Sequence, residues 1–124
     1  MNTPACILVI DDDDGIRANL KRFLTLEGYR VEEAADGKTG LAKAAECGPD
    51  LVLCDVMMPE LDGFEVCRRL RADAMTEAIP FIFLTASVEM DDRRFGLEIG
   101  ADDYQAKPFN LPALLELIRR RLSS

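Results

Sequence analysis

The feature that most constrains this chain is an apolar run that ends in an acid. Leu51-Val52-Leu53-Cys54 leads into Asp55, and Val56-Met57-Met58-Pro59 follows. An unbroken apolar run of this length reads as a strand buried on both faces, as in a parallel sheet covered by helices. Aspartate is almost never buried without a partner, so Asp55 is not there to pack. Pro59 stops the strand and pre-sets the loop. Asp55 is therefore the candidate reactive group, set against the plainer reading of an aspartate that caps a loop.

The same pattern recurs along the chain. Cys6-Ile7-Leu8-Val9-Ile10 is a buried strand that ends in Asp11-Asp12-Asp13-Asp14-Gly15. Phe81-Ile82-Phe83-Leu84 follows Pro80 and ends in Thr85. A shorter strand over 104–106 leads into Lys107-Pro108-Phe109, and a more polar one over 29–35 suits a sheet edge. Helices are expected between them. Ile16, Leu20, Phe23 and Leu24 mark one face after an Asp13 or Asp14 cap, closed by Gly28. Leu41, Ala44 and Ala45 mark the next, after Asp36-Gly37 and before Gly48-Pro49. Phe64, Cys67 and Leu70 follow from about Asp62. Ser87 is expected to cap a weak helix to 99 that contains Gly96 and is ended by Gly100. Asn110 is expected to cap the last helix, whose face is Leu111, Leu114, Leu115, Ile118 and Leu122.

Strand and helix alternate five times with short connections, which predicts an α/β doubly wound parallel sheet in one domain. Ligands of such sheets bind at the carboxyl ends of the strands. Asp11, Asp12, Asp55, Thr85 and Lys107 all terminate strands and should converge there.

Composition narrows what the convergence can do. The 124 residues suffice for a single core, and 48% hydrophobic with 31% charged is globular composition. A net charge of -8 opposes general nucleic-acid binding, because phosphate would be repelled. It suits cations and basic partner surfaces. No apolar run reaches the ~18 residues of a membrane span, and no signal peptide is evident. The chain has no histidine, and Cys6, Cys47, Cys54 and Cys67 lack CxxC spacing, so a zinc site is not expected. A reducing cytoplasm is the expected location.

Three carboxylates held together repel unless a cation joins them or a pKa rises. Oxygen donors without histidine or thiolate select magnesium, manganese or calcium. Such a cluster suits a metal–phosphate pair, with Lys107 and Thr85 able to meet phosphoryl oxygens and Asp55 as the nucleophile. An EF-hand is excluded: with Gly15 as its glycine, the first ligand position falls on Ile10 and the bidentate one on Lys21.

Four segments together resemble the receiver domain of two-component response regulators, of the chemotaxis-regulator type. They are Ile7-Leu8-Val9-Ile10-Asp11-Asp12-Asp13; Leu53-Cys54-Asp55-Val56-Met57-Met58-Pro59 with Asp62-Gly63; Phe83-Leu84-Thr85-Ala86; and Gly100-Ala101-Asp102-Asp103-Tyr104 with Lys107-Pro108-Phe109. The resemblance covers essentially the whole chain. It implies a flavodoxin-like five-stranded sheet of order 2-1-3-4-5 and a receiver domain over 1–124, compatible with the N-terminal part of a longer regulator. It implies that Asp55 accepts a phosphoryl group from a histidine kinase or histidine phosphotransfer protein. Asp11, Asp12, Asp55 and the Met57 carbonyl would hold magnesium, Lys107 would pair with the phosphoryl group, and the Lys107–Pro108 bond would be cis. Thr85 and Tyr104 would be the switch residues. The fourth helix, fifth strand and fifth helix would form the output surface and a homodimer contact. Such a domain is a regulator and not an enzyme on external substrates, and it does not itself bind nucleic acid or membrane. Met57 and Ser87 occupy positions that tune phosphoryl lifetime, and apolar Met57 implies slow self-dephosphorylation.

Two rival readings are weaker. A flavin mononucleotide protein would need a Ser/Thr/Gly-rich phosphate loop after the first strand, where this chain has four aspartates. A phosphatase with an aspartyl nucleophile would need an acid two residues after Asp55, where Met57 stands.

Overall fold

The computed structural model describes residues 3–87 and 89–123. The order is β1 (Cys6–Ile10), α1 (Asp14–Leu26), β2 (Arg30–Ala34), α2 (Gly37–Cys47), β3 (Leu51–Cys54), α3 (Gly63–Ala72), β4 (Phe81–Thr85), α4 (Met90–Glu98), β5 (Asp103–Ala106) and α5 (Leu111–Ser123). All strand pairs are parallel and the sheet order is β2-β1-β3-β4-β5, the doubly wound arrangement expected.

The period of two along each strand sorts the core by chemistry. Ile7, Val9, Leu51, Leu53, Ile82 and Leu84 face one way and pack on Leu20 and Leu24 of α1 and Leu114, Leu115 and Ile118 of α5. Leu8, Ile10, Val52, Cys54, Phe81 and Phe83 face the other way, onto Ala44 of α2 and Val66, Cys67 and Leu70 of α3. The first face is entirely aliphatic among its buried members, and the second carries the rings. Each fully buried Leu, Ile, Val or Phe contributes roughly 1.5–3 kcal/mol, so the central strands dominate stability.

Local signals set most helix starts. Asp13, Asp36 and Asp62 are the N-caps of α1, α2 and α3, accepting from the backbone N–H of Ile16, Thr39 and Glu65. Asn110 Oδ1 accepts from Ala113 N at the start of α5. Gly48 closes α2 in the left-handed conformation.

Several expectations need correction. Ser87 does not cap α4: the N-cap is Glu89, without a side-chain hydrogen bond, and the helix starts at Met90. The Ser87 hydroxyl instead donates to Asp92 Oδ2 at 2.6 Å, from outside the helix. Ala45 is exposed, because the buried stripe of α2 runs through Gly37, Gly40 and Ala44. β2 is shorter than 29–35, and β5 begins one residue early, at Asp103. Among the described residues no helix is long and apolar enough to cross a membrane. Cys6, Cys54 and Cys67 are buried free thiols and Cys47 is exposed.

Candidate phosphoryl-acceptor site

The strand ladders continue one residue past the strands and so align the site. Asp11 N donates to Ala34 O (3.1 Å), Asp55 N to Ile10 O (2.9 Å) and Lys107 N to Thr85 O (2.8 Å). Asp11, Asp55, Thr85 and Lys107 are thereby held at the carboxyl edge by backbone bonds, independently of their side chains.

Lys107 Nζ bridges two acids, donating to Asp11 Oδ2 at 2.6 Å and Asp55 Oδ2 at 3.1 Å. Its side chain is only 10% exposed, so the bridge is shielded from water and salt. The other oxygens are also used: Asp11 Oδ1 accepts from Asp13 N (2.9 Å) and Asp55 Oδ1 from Met57 N (3.3 Å). Asp12 is exposed, and oxygens of Asp11, Asp12 and Asp55 lie within 4.8 Å of one another.

Burial pushes the Asp11 carboxyl above its ordinary range, against the opposing pull of Lys107. Burial also works against the Lys107 ammonium, but Asp11 and Asp55 outweigh it and the net direction is upward. The two directions are compatible, since one ammonium does not fully repay the desolvation of the acid it serves. The three-carboxylate cluster thus retains a deficit of positive charge. Its oxygen-only donor set fits a hard divalent cation.

The loop after β3 is shaped around Asp55. Gly63 N donates to Val56 O at 2.9 Å, and a Cβ on Gly63 would collide with the Asp55 carbonyl oxygen. Glycine is therefore required where α3 abuts Asp55. Leu61 N donates to Pro59 O across Glu60, which has φ 68, the geometry of a γ-turn that non-glycine residues rarely adopt. Met57 is 68% exposed beside the cluster while Met58 is buried.

Thr85 is fully buried, and its Oγ1 accepts from Ser87 N at 3.2 Å. Tyr104 points inward, is 6% exposed, and donates from its hydroxyl to Ser87 O at 3.1 Å. The Lys107–Pro108 bond is cis. All the strand-end residues singled out from the sequence converge on one edge. The sequence does not show the bond between Ser87 and Asp92, because it joins a loop to a helix whose start local signals misplace. From the sequence, Ser87 is expected to cap α4 and to tune phosphoryl lifetime, and Asp92 to be one of the charges on the face of α4.

A parallel 2-1-3-4-5 sheet with clustered aspartates and a lysine at its carboxyl edge defines a doubly wound domain with an acidic site suited to a hard cation, and comparison with known proteins says which. The model of the response regulator receiver domain family matches residues 7–119. The chain belongs to this family, the receiver domains of two-component response regulators. It is 48% identical over 119 residues to the response regulator MprA of Mycolicibacterium vanbaalenii, covering 96% of this chain and 51% of that protein. The chain thus spans about half the length of the curated relatives it matches. A CheY-like receiver domain protein from Methanospirillum hungatei superposes with a TM-score of 0.92 at 34% identity, over 98% of this chain and 95% of that one. The receiver domain of a sensor histidine kinase from Pseudomonas aeruginosa, solved with magnesium coordinated in its active-site cleft, gives 0.90 at 33% identity, over 98% and 100% of the two chains.

Proposed function

We propose that this receiver domain is a phosphorelay switch that accepts a phosphoryl group on Asp55 from a histidine kinase or histidine phosphotransfer protein. The observation that carries the reading is the buried Lys107 bridge between Asp11 and Asp55 at the strand ends. In the transfer, an Asp55 carboxylate oxygen forms the new bond to phosphorus as the P–N bond to the donor imidazole breaks. The imidazole leaves with its electron pair and takes a proton. Lys107 meets the charge on the incoming phosphoryl oxygens, and the Thr85 hydroxyl donates to one of them. Asp11, Asp12, Asp55 and the Met57 carbonyl would hold magnesium, whose charge supplies neutralisation that the three carboxylates otherwise lack.

Thr85 and Tyr104 are the switch residues in this reading, and the acyl phosphate biases a two-state equilibrium through them. The output surface is α4, β5 and α5, which controls an effector or a second copy of the chain. The domain works in the cytoplasm and does not itself bind nucleic acid, and its span of about half its relatives' length is compatible with its being the N-terminal part of a longer regulator. The exposed Met57 side chain is apolar and cannot orient a water at Asp55, so self-dephosphorylation is slow.

Intact mass after incubation with magnesium and acetyl phosphate tests the reading. One added phosphoryl group that requires magnesium and disappears in Asp55→Ala is expected. No gain with either acetyl phosphate or a phosphorylated histidine donor would overturn it. A phosphoryl half-life of seconds would separately remove the role given to Met57.

A further inference from the structure

Ser87 ties three elements together. Its N–H donates to Thr85 Oγ1 on β4 (3.2 Å), its carbonyl accepts from the Tyr104 hydroxyl on β5 (3.1 Å), and its own hydroxyl donates to Asp92 Oδ2 in the first turn of α4 (2.6 Å). The first bond occupies a lone pair of Thr85 Oγ1 and leaves the threonine proton to be donated elsewhere. The second holds Tyr104 inward. Of the three, only the third depends on side chains at both ends, and it is the shortest, as a hydroxyl–carboxylate bond should be.

The start of α4 makes that bond matter. Its N-cap residue, Glu89, supplies no side-chain hydrogen bond, unlike the caps of α1, α2 and α3. Asp92 therefore ties the helix backwards onto Ser87 in place of a cap. Asp91, next to it in the same turn, is exposed and gives a control with the same charge and helix position. Further along α4, Gly96 lies against Phe83 and Tyr104, so the position of the helix bears directly on the tyrosine.

We propose that Asp92 is a positioning residue of the phosphoryl-acceptor site: through the Ser87 hydroxyl it holds the β4–α4 turn that presents Thr85 as a donor and keeps Tyr104 inward. This rests on the reading of Asp55 as phosphoryl acceptor. The same bond makes the start of α4 responsive to anything that moves Thr85.

The test compares Ser87→Ala, Asp92→Ala, their combination, Ser87→Thr and Asp91→Ala. Beryllofluoride with magnesium serves as the phosphoryl mimic, and NMR reports the Tyr104 ring against Tyr29, the chain's other tyrosine. Ser87→Ala and Asp92→Ala should each weaken beryllofluoride binding about five- to tenfold, the scale of one ordinary hydrogen bond. The double variant should be no weaker than either single one. Ser87→Thr, which keeps the hydroxyl, should bind like the parent, and so should Asp91→Ala. Parent-like binding in both alanine variants, or effects that add, would overturn the proposal. If the parent itself takes no beryllofluoride, the Asp55 reading falls. The tie is then decided by Tyr104 alone: its ring signals move toward those of an exposed tyrosine in Ser87→Ala and Asp92→Ala if Asp92 acts as proposed, and stay unchanged if it does not.

Discussion

The two edges of the sheet use aspartate in opposite ways. At the amino edge, Asp50 and Asp102 close strands. Asp50 accepts from Cys6 N (2.7 Å) and its own N–H donates back to Cys6 O (2.8 Å). Asp102 does the same with Phe81, at 2.8 Å in both directions. Arg71 completes that edge, donating to Gly100 O, Glu77 O, Ile79 O and Asp102 Oδ2. At the carboxyl edge, Asp11, Asp12 and Asp55 crowd around Lys107. One edge matches charge with donors and is a clasp. The other holds surplus negative charge and is a site. The difference teaches that the residue type does not tell structure from function; the balance of donors around it does.

Removing the clasp should have the largest effect on stability. Arg71→Ala strands several carbonyls and the Asp102 carboxylate, and should cost about 3 kcal/mol. That corresponds to a fall in Tm of about 10 °C, measured by thermal denaturation. Phosphoryl acceptance per folded molecule should be unchanged. An Arg71→Ala protein as stable as its parent would abolish the distinction between the edges.

Next comes pH. Burial pushes the Cys67 thiol up to about 11, above the ordinary thiol range, with Arg71 opposing the rise and Asp102 adding to it. The unfolded chain ionises first, so stability from the neutral buried thiol is intact below about pH 9 and is lost as pH rises through about 11. Denaturant midpoints across that window should fall in the parent and fall less in Cys67→Ala, once their neutral-pH midpoints are aligned.

The carboxyl edge should answer more weakly in stability. Asp55→Asn removes one like charge and one contact to Lys107, so stability should change by less than about 1 kcal/mol while phosphoryl acceptance is lost. A large destabilisation would mean that this edge, too, is a clasp. The smallest effect concerns the loop after β3. Glu60→Gly relieves the backbone at φ 68 but frees the unfolded chain, and should stabilise by about 0.5 kcal/mol or less in urea titration.

Much of the carboxyl edge was legible in the sequence because Asp11, Asp55 and Thr85 directly follow apolar runs and Lys107 follows the short strand ending at Ala106. A strand end is a local signal, and parallel order brings such ends together. The amino-edge clasp was not legible. Arg71 finds partners at 77, 79, 100 and 102, and nothing near Arg71 in the chain marks it apart from Arg68 or Arg69 on the same helix. The misplaced start of α4 has a related cause. Ser87 has the chemistry of a cap, but its hydroxyl is spent on Asp92 and its backbone on Thr85 and Tyr104, and a pattern of residue types does not reveal which of a serine's bonds wins.

Gly96 gives α4 an unusual seat. A Cβ there would come within 3.0 Å of the Phe83 ring and 3.3 Å of Tyr104, so the helix meets the rings with bare backbone and no knob between them. Phe83 is itself braced edge-on by Phe64 (5.4 Å) and Phe81 (4.9 Å). Mechanically the contact at Gly96 is a plain bearing, a smooth shaft on a stiff plate, with Phe95 edge-on against Phe64 (4.9 Å) as a tooth at its margin. The aliphatic side, where α1 and α5 interlock with Ile and Leu side chains, is geared. On the switch reading proposed above, a rotation or slide driven from the site would meet less resistance at the Gly96 contact than on the aliphatic side.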